Sequence, residues 1–240
     1  MNPTVLPHGR IADLTEAEIV EMHALLDRHF DGVDPEVFRQ DLREKTHVLR
    51  VWKDGKLAGF STLLAWRTWH DGEACNVLYS GDTIMSPEYW GSPLLAKAWI
   101  AMVRQVQAAL PEGRCWWLLL SSGFRTYRFL PVFWREFWPR HEAATPPTVR
   151  ALLDDLARQR FGDRYDPQNG VVRFTCPHRL RGPLALVPDG KQMDPHVAFF
   201  LRRNPGWREG DELVCLTEIT DANLTPAGRR MIRERNERWP

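Results

Sequence analysis

The sequence predicts a mixed α/β domain of the α+β kind, and three observations carry that prediction. Two amphipathic helices open the chain. Three β-rich runs separated by Asp-Gly turns follow, and a short apolar run at Arg114–Leu120 comes after a longer helical pattern.

The elements justify themselves in order. Thr15 with Glu18 matches a capping box, and Ile19, Met22, Leu25, Leu26 and Phe30 recur at helical spacing, which predicts a helix from about Glu16 to Arg28. Asp34-Pro35 sets an N-cap and a first helical position, with Val37, Phe38 and Leu42 as the apolar face of a second helix. His47–Trp52, Lys56–Trp69 and Cys75–Met85 then read as an antiparallel meander turned at Asp54-Gly55 and Asp71-Gly72. Ser92-Pro93 opens a helix whose buried face is Leu94, Leu95, Ala98, Trp99, Met102, Val103 and Val106. Arg114–Leu120 is a strand buried on both faces.

The segment from Ser121 to Arg140 reads as a helix broken at Pro131. Beyond it come a polar helix over 146–160, a loop over Asp163–Gly170, a strand at Val171–Cys176, an irregular stretch at Arg179–Asp189, a helix at Asp194–Arg203 and a buried strand at Glu212–Ile219. The tail reads as a basic, solvated helix. No linker divides the chain, so residues 1–240 form one domain, with a core at about 11–140 and an extension over 141–240.

Composition narrows the function. Lys plus Arg number 32 against 31 Asp plus Glu, a balance that argues against a general nucleic-acid or membrane-surface role. Cys75, Cys115, Cys176 and Cys215 have no close pairing, so they read as core residues in a reducing compartment. No signal peptide stands at the start, and no apolar run reaches the ~18 residues of a span. The expected location is the cytoplasm. No histidine pair has metal-ligand spacing on one helix, and no metal is assigned. The eleven Trp and eleven Phe form a bulky core, or line a roomy apolar pocket or a partner surface.

The order helix, helix, meander, helix, strand, helix resembles the GNAT N-acyltransferase superfamily over about 11–140. The segments Ser121–Arg140 and Asp194–Leu216 resemble a set of uncharacterised bacterial proteins of that kind. The resemblance implies a mostly antiparallel central sheet flanked by helices, and transfer of an acyl group from coenzyme A or an acyl carrier protein to a small amine. In that family a Gln/Arg-x-x-Gly-x-Gly/Ala loop at a helix start cradles the donor pyrophosphate with backbone N–H groups. Here Trp90, Pro93 and Leu95 stand at the three motif positions, and Pro93 has no N–H. Three readings follow: a relaxed loop, a carrier-protein donor, or a fold that has lost catalysis.

By position, Ile84 and Met85 are the backbone groups that would meet the thioester carbonyl, with Trp90, Gly91, Ser92 and Leu94 as the cofactor loop. Tyr127 is the acid candidate for the departing thiolate, set evenly against a tyrosine packed on the sheet. Asp82 is the base candidate, with Glu73 and Tyr79 behind it, against a plain strand-end carboxylate. Ser121 and Ser122 read first as helix caps. The alternative function is a non-catalytic binding protein, with a homodimer that buries the Trp-rich surface. A nucleic-acid role for the basic tail Arg229–Arg238 is a remote third.

Overall fold

The structure, a computed structural model, describes residues 4–5, 9–90 and 92–233. Helix α1 spans Glu16–His29, and both bonds of its predicted capping box form between Thr15 and Glu18. Helix α2 spans Pro35–Arg43, with the Asp34 side chain accepting from the N–H groups of Glu36 and Val37. Strands β1 (His47–Lys53), β2 (Lys56–His70) and β3 (Glu73–Met85) build the meander. Both turns hold positive φ at Asp and Gly (Asp54 50°, Gly55 75°; Asp71 49°, Gly72 80°), the type I′ geometry that the dipeptide favours.

Helix α3 runs Leu94–Ala108, and Pro93 is its N-cap rather than its first helical residue. Strand β4 (Arg114–Ser121) pairs with β3 in parallel, the one parallel pairing of the large sheet among the described residues. Its alternation is complete: Cys115, Trp117 and Leu119 join one core cluster, and Trp116, Leu118 and Leu120 another. Strand β5 (Glu212–Glu218) closes on β4 antiparallel, and the two-residue strands Val171–Val172 and Tyr165–Asp166 extend that edge. The observed order of elements is thus the one the superfamily resemblance implies: a mostly antiparallel mixed sheet with helices on both faces.

Several expectations shift. The break after β4 falls at Arg128, between α4 (Phe124–Tyr127) and α5 (Phe129–Phe133), and Pro131 sits inside α5 near its start, where its missing N–H costs no helical bond. From Trp134 the chain is extended and bridges to Leu224 and, at Trp138, to Leu216. The strand expected at Val171–Cys176 ends at Val172. Helices α6 (Pro147–Phe161) and α7 (Pro195–Arg203) form as expected. Helix α8 (Pro226–Arg233) is not wholly solvated, because Met231 and Ile232 pack against the α3-side core. The rest of the basic tail lies outside the described residues.

The sheet separates two main bodies of core. One face carries α3 with Trp99, Trp117 and Trp134 in contact, ring centroids 4.1 and 4.9 Å apart along that row. The other carries α6 against β4 and β5, with α1 and α2 covering β1 to β3 beside it. No described helix is long and apolar enough to cross a membrane.

Candidate active site

The site begins with a defect in the sheet. On β3, Ser80 pairs with Leu63 of β2 and Thr83 with Ser61, so Gly81 and Asp82 oppose Thr62 alone. This bulge inverts the alternation of side chains. Before it, Val77 and Tyr79 face α6. After it, Ile84 faces α1 and α2, and Met85 faces α3. The parallel ladder to β4 ends at the same place, at Ser80 opposite Leu119, while β3 continues to Met85. An open strand edge results.

A cavity lies on each side of that edge. The first, of 270 Å³, sits between α2, α6 and the start of β5 and contains Asp41, Glu44, Tyr79, Asp82, Arg160, His178 and Glu212. The second, of 470 Å³, lies against α3, α4 and α5 and is walled by Trp90, Leu95, Trp99, Trp117, Phe129 and Phe133. Ser80, Thr83, Leu119 and Thr126 line both, so the two meet at the open edge.

The first cavity is crowded with carboxylates. Lys45 is buried and matches Asp41, with Nζ to Oδ2 at 2.5 Å. Arg160 matches Glu44 at 2.6 Å. Asp82 and Glu212, half-buried and open to the cavity, have no hydrogen bond or ion pair among the described residues. Burial, helped by the Asp41 carboxylate, pushes Asp82 up to about 7 against the pull of Lys45. Burial first, then Asp82 and Asp41, pushes Glu212 up to about 8. Both carboxyls therefore hold a proton to higher pH than a solvated carboxyl does. Burial also raises the Tyr79 phenol and lowers the His178 imidazole. Gly81 makes this packing fit: a Cβ there would stand 2.4 Å from Lys45 Cε and 2.6 Å from Thr62 Oγ1.

The cofactor loop is arranged differently from an anion cradle. The Ser92 N–H donates to the Tyr89 carbonyl (3.0 Å), and the Leu94 N–H donates to Ser92 Oγ (3.2 Å). The amides of Ser92 and Leu94 are thus engaged within the loop, and Pro93 between them has none. Gly91 lies outside the described residues, and Leu94 does not line the cavity. The Trp90 indole N–H donates to the Met85 carbonyl (2.8 Å), while Ser86 N–H donates to Ala58 of β2 (2.8 Å). Alternation therefore turns the Met85 peptide groups toward the open edge and those of Ile84 toward β2.

Tyr127 is not placed to act. It is fully buried, its hydroxyl donates to the Pro139 carbonyl (3.0 Å), it packs against Phe137, Phe199 and Phe200, and it lines neither cavity. Burial raises its phenol far above the ordinary value. Its neighbour Thr126 faces the junction instead, because successive helix residues point to different sides. Glu73 sits at the far end of β3 beside the Asp71-Gly72 turn. Ser121 is buried, and Ser122 lines the first cavity.

Glu212, Asp41, Arg160, His178 and Thr126 were missed by sequence reasoning. They come from four separate elements and a loop, and only the bulge and the sheet order bring them together. Elsewhere, His141, Glu142 and His196 offer ligand atoms within 4.8 Å of one another, a grouping of loop and helix that sequence spacing does not reveal. It lies outside both cavities.

No protein-family model matches this chain, and no curated protein matches it. Solved structures show partial likeness. An acyl-CoA N-acyltransferase from Pseudomonas aeruginosa is 22% identical, over 49% of this chain and 79% of its own, with a TM-score of 0.37. A conserved protein of unknown function from Enterococcus faecalis V583, given as a probable N-acyltransferase, is 16% identical over 53% of this chain with a TM-score of 0.40. The match spans 31% of that Enterococcus chain. Glucosamine-6-phosphate N-acetyltransferase from Arabidopsis thaliana is 12% identical over 45% of this chain, with a TM-score of 0.33.

Proposed function

We propose that the protein is an N-acyltransferase that takes an acyl thioester in the 470 Å³ cavity and an amine in the 270 Å³ cavity. The observation that carries this reading is the meeting of the two cavities at the open edge of β3, one apolar and cationic, the other bearing two carboxyl groups without a partner among the described residues. A primary amine is cationic at neutral pH. Asp82 and Glu212 would attract it and take the proton it must lose before attacking.

The donor contributes an activated carbonyl and a thiolate leaving group. The chain does the rest. Met85 N–H stands at the open edge as a donor for the carbonyl oxygen, in the manner of an oxyanion site. With one proton already passed to the Asp82–Glu212 pair, the amine nitrogen bonds to the carbonyl carbon, the C–S bond breaks, and the second proton leaving the nitrogen goes to the departing thiolate. Thr126, which lines both cavities, is the hydroxyl on α4 that would relay that proton, in the role offered above to Tyr127. Aromatic walls at Trp99, Trp117 and Phe129 favour an acyl group larger than acetyl.

The loop in which Ser92 and Leu94 turn their amides inward and Pro93 has none supports a second reading, a non-catalytic binding protein. A panel of acyl-CoA and acyl-carrier-protein donors with amines separates the two. Amide formation supports transfer. Absence of both donor binding and product sinks it.

A further inference from the structure

The second cavity holds a charge that the transfer chemistry does not use. Its lining contains Arg125, Arg128 and Lys191 and, among the described residues, no carboxylate. Arg128 is matched by Asp194 at 3.2 Å. Arg125 has no such partner among the described residues. Its Nη1 donates to the Leu184 and Leu186 carbonyls, at 3.2 and 3.3 Å, and its guanidinium lies over the rings of Trp90 and Phe124, 4.8 and 4.6 Å from their centroids. Carbonyls and π faces orient a cation without neutralising it. Burial without a counter-ion also pulls its pKa down. Both carbonyl bonds use one nitrogen, which leaves Nε and Nη2, the edge of the guanidinium that grips two oxygens at once.

The placement is also informative. Trp90 stands where the superfamily pattern has Gln or Arg, and the first amide of α3, that of Leu94, is engaged by Ser92 Oγ. Arg125 stacks on that same Trp90 from the opposite wall, on α4. A positive charge therefore borders the cavity from a different element. Lys191, exposed on the short 3-10 turn Lys191–Met193, adds a second cation to the same lining.

We propose that Arg125, assisted by Lys191, binds the phosphate at the end of the donor's pantetheine arm, from the wall of the cavity opposite the start of α3. This rests on the acyl-transfer reading above and assigns the donor site a chemistry: a phosphate ester of pantetheine, free as coenzyme A or attached to a carrier protein.

Calorimetric titration of the full chain with pantetheine, phosphopantetheine and coenzyme A tests it. The expected result is that wild type binds phosphopantetheine about tenfold or more tightly than pantetheine, as a charge-assisted bidentate contact supplies. Arg125→Gln brings that ratio near one while pantetheine affinity holds, and Arg125→Lys restores part of it. Because Arg125 also anchors the Leu184–Leu186 segment, Lys191→Ala serves as a second variant at an exposed position, and it lowers the ratio by about threefold. A ratio that survives Arg125→Gln, or that equals one in wild type, overturns the phosphate site and leaves acyl transfer standing. Failure of wild type to bind any of the three overturns both. Titration with holo and apo carrier protein identifies the source: Arg125-dependent binding of the holo form alone assigns the carrier, and tighter binding of coenzyme A than of phosphopantetheine assigns the free cofactor.

Discussion

The two cavities share four lining residues and a strand edge, yet they are electrostatic opposites. The one under α2 and α6 contains Asp41, Glu44, Asp82 and Glu212 against Arg160 and Arg164, and two of those carboxylates have no hydrogen bond or ion pair among the described residues. The one under α3 and α4 contains three cations and no carboxylate among the described residues. A structural core neutralises its charges locally, because an unpaired charge away from water is expensive. Leaving opposite charges unpaired on the two sides of one open edge costs stability on both sides. That arrangement fits two different ligands, a cation on one side and an anion-tailed thioester on the other, brought together where β3 and β4 part.

The contrast can be broken from the carboxylate side first. Asp82→Asn should lower kcat/KM for amine acylation by about 10²–10³-fold, the range of a lost general base. Donor affinity should stay within about twofold, since Asp82 does not line the donor cavity. Steady-state kinetics and calorimetry read the two separately. An equal loss in both would mean that the cavities are not independent.

Gly81→Ala attacks the packing that supports the same carboxylates. The added methyl would collide with Lys45 and Thr62, so a loss of about 1–3 kcal/mol is expected, or roughly 3–10 °C in Tm for a chain of this size. Thermal unfolding checks it. An unchanged Tm would show that Lys45 is free to move and that the bulge is soft.

The pH dependence follows from the direction of the shifts. Asp82 and Glu212 have folded values raised above those of an unfolded chain, to about 7 and about 8. The folded state therefore binds more protons, and the stability these groups contribute is full below the unfolded value near ~4 and is lost as pH rises through the folded values. Tm should fall between pH 5 and pH 8, by about a few degrees. Asp82→Asn combined with Glu212→Gln should flatten that slope. A slope unchanged in the double variant would assign it to other groups.

The smallest effect belongs to the residue that sequence favoured. Tyr127→Phe should change the transfer rate by less than about threefold and cost about 1 kcal/mol of stability, the worth of its bond to Pro139. A hundredfold rate loss would return Tyr127 to the chemistry.

The legibility of the chain divides along the same line. Elements set by local rules were readable: the capping box at Thr15, the Asp-Gly turns, the proline start of α2, and the two-faced strand at Arg114–Leu120. Asp82 was readable as a site residue because it sits near the end of a strand. The bulge was not, since nothing in Ser80–Thr83 announces that two residues will oppose one. Without it the residues after Gly81 would face the wrong side. Glu212 read only as the first residue of a buried strand, and Arg160 as one charge on a polar helix, because their meaning depends on partners more than fifty positions away. Tyr127 and Thr126 differ by one residue, and the rotation of the short helix α4 about its axis decides which of them reaches the junction.

The account is tested most directly by measuring acyl transfer from acyl-CoA or acyl carrier protein to primary amines and to size-matched neutral and anionic acceptors, in wild type and in Asp82→Asn. The expected result is amide product from cationic amines alone, lost in Asp82→Asn while the variant still binds the donor. Equal reaction with anionic acceptors, or full transfer by Asp82→Asn, would contradict the assignment of the two cavities.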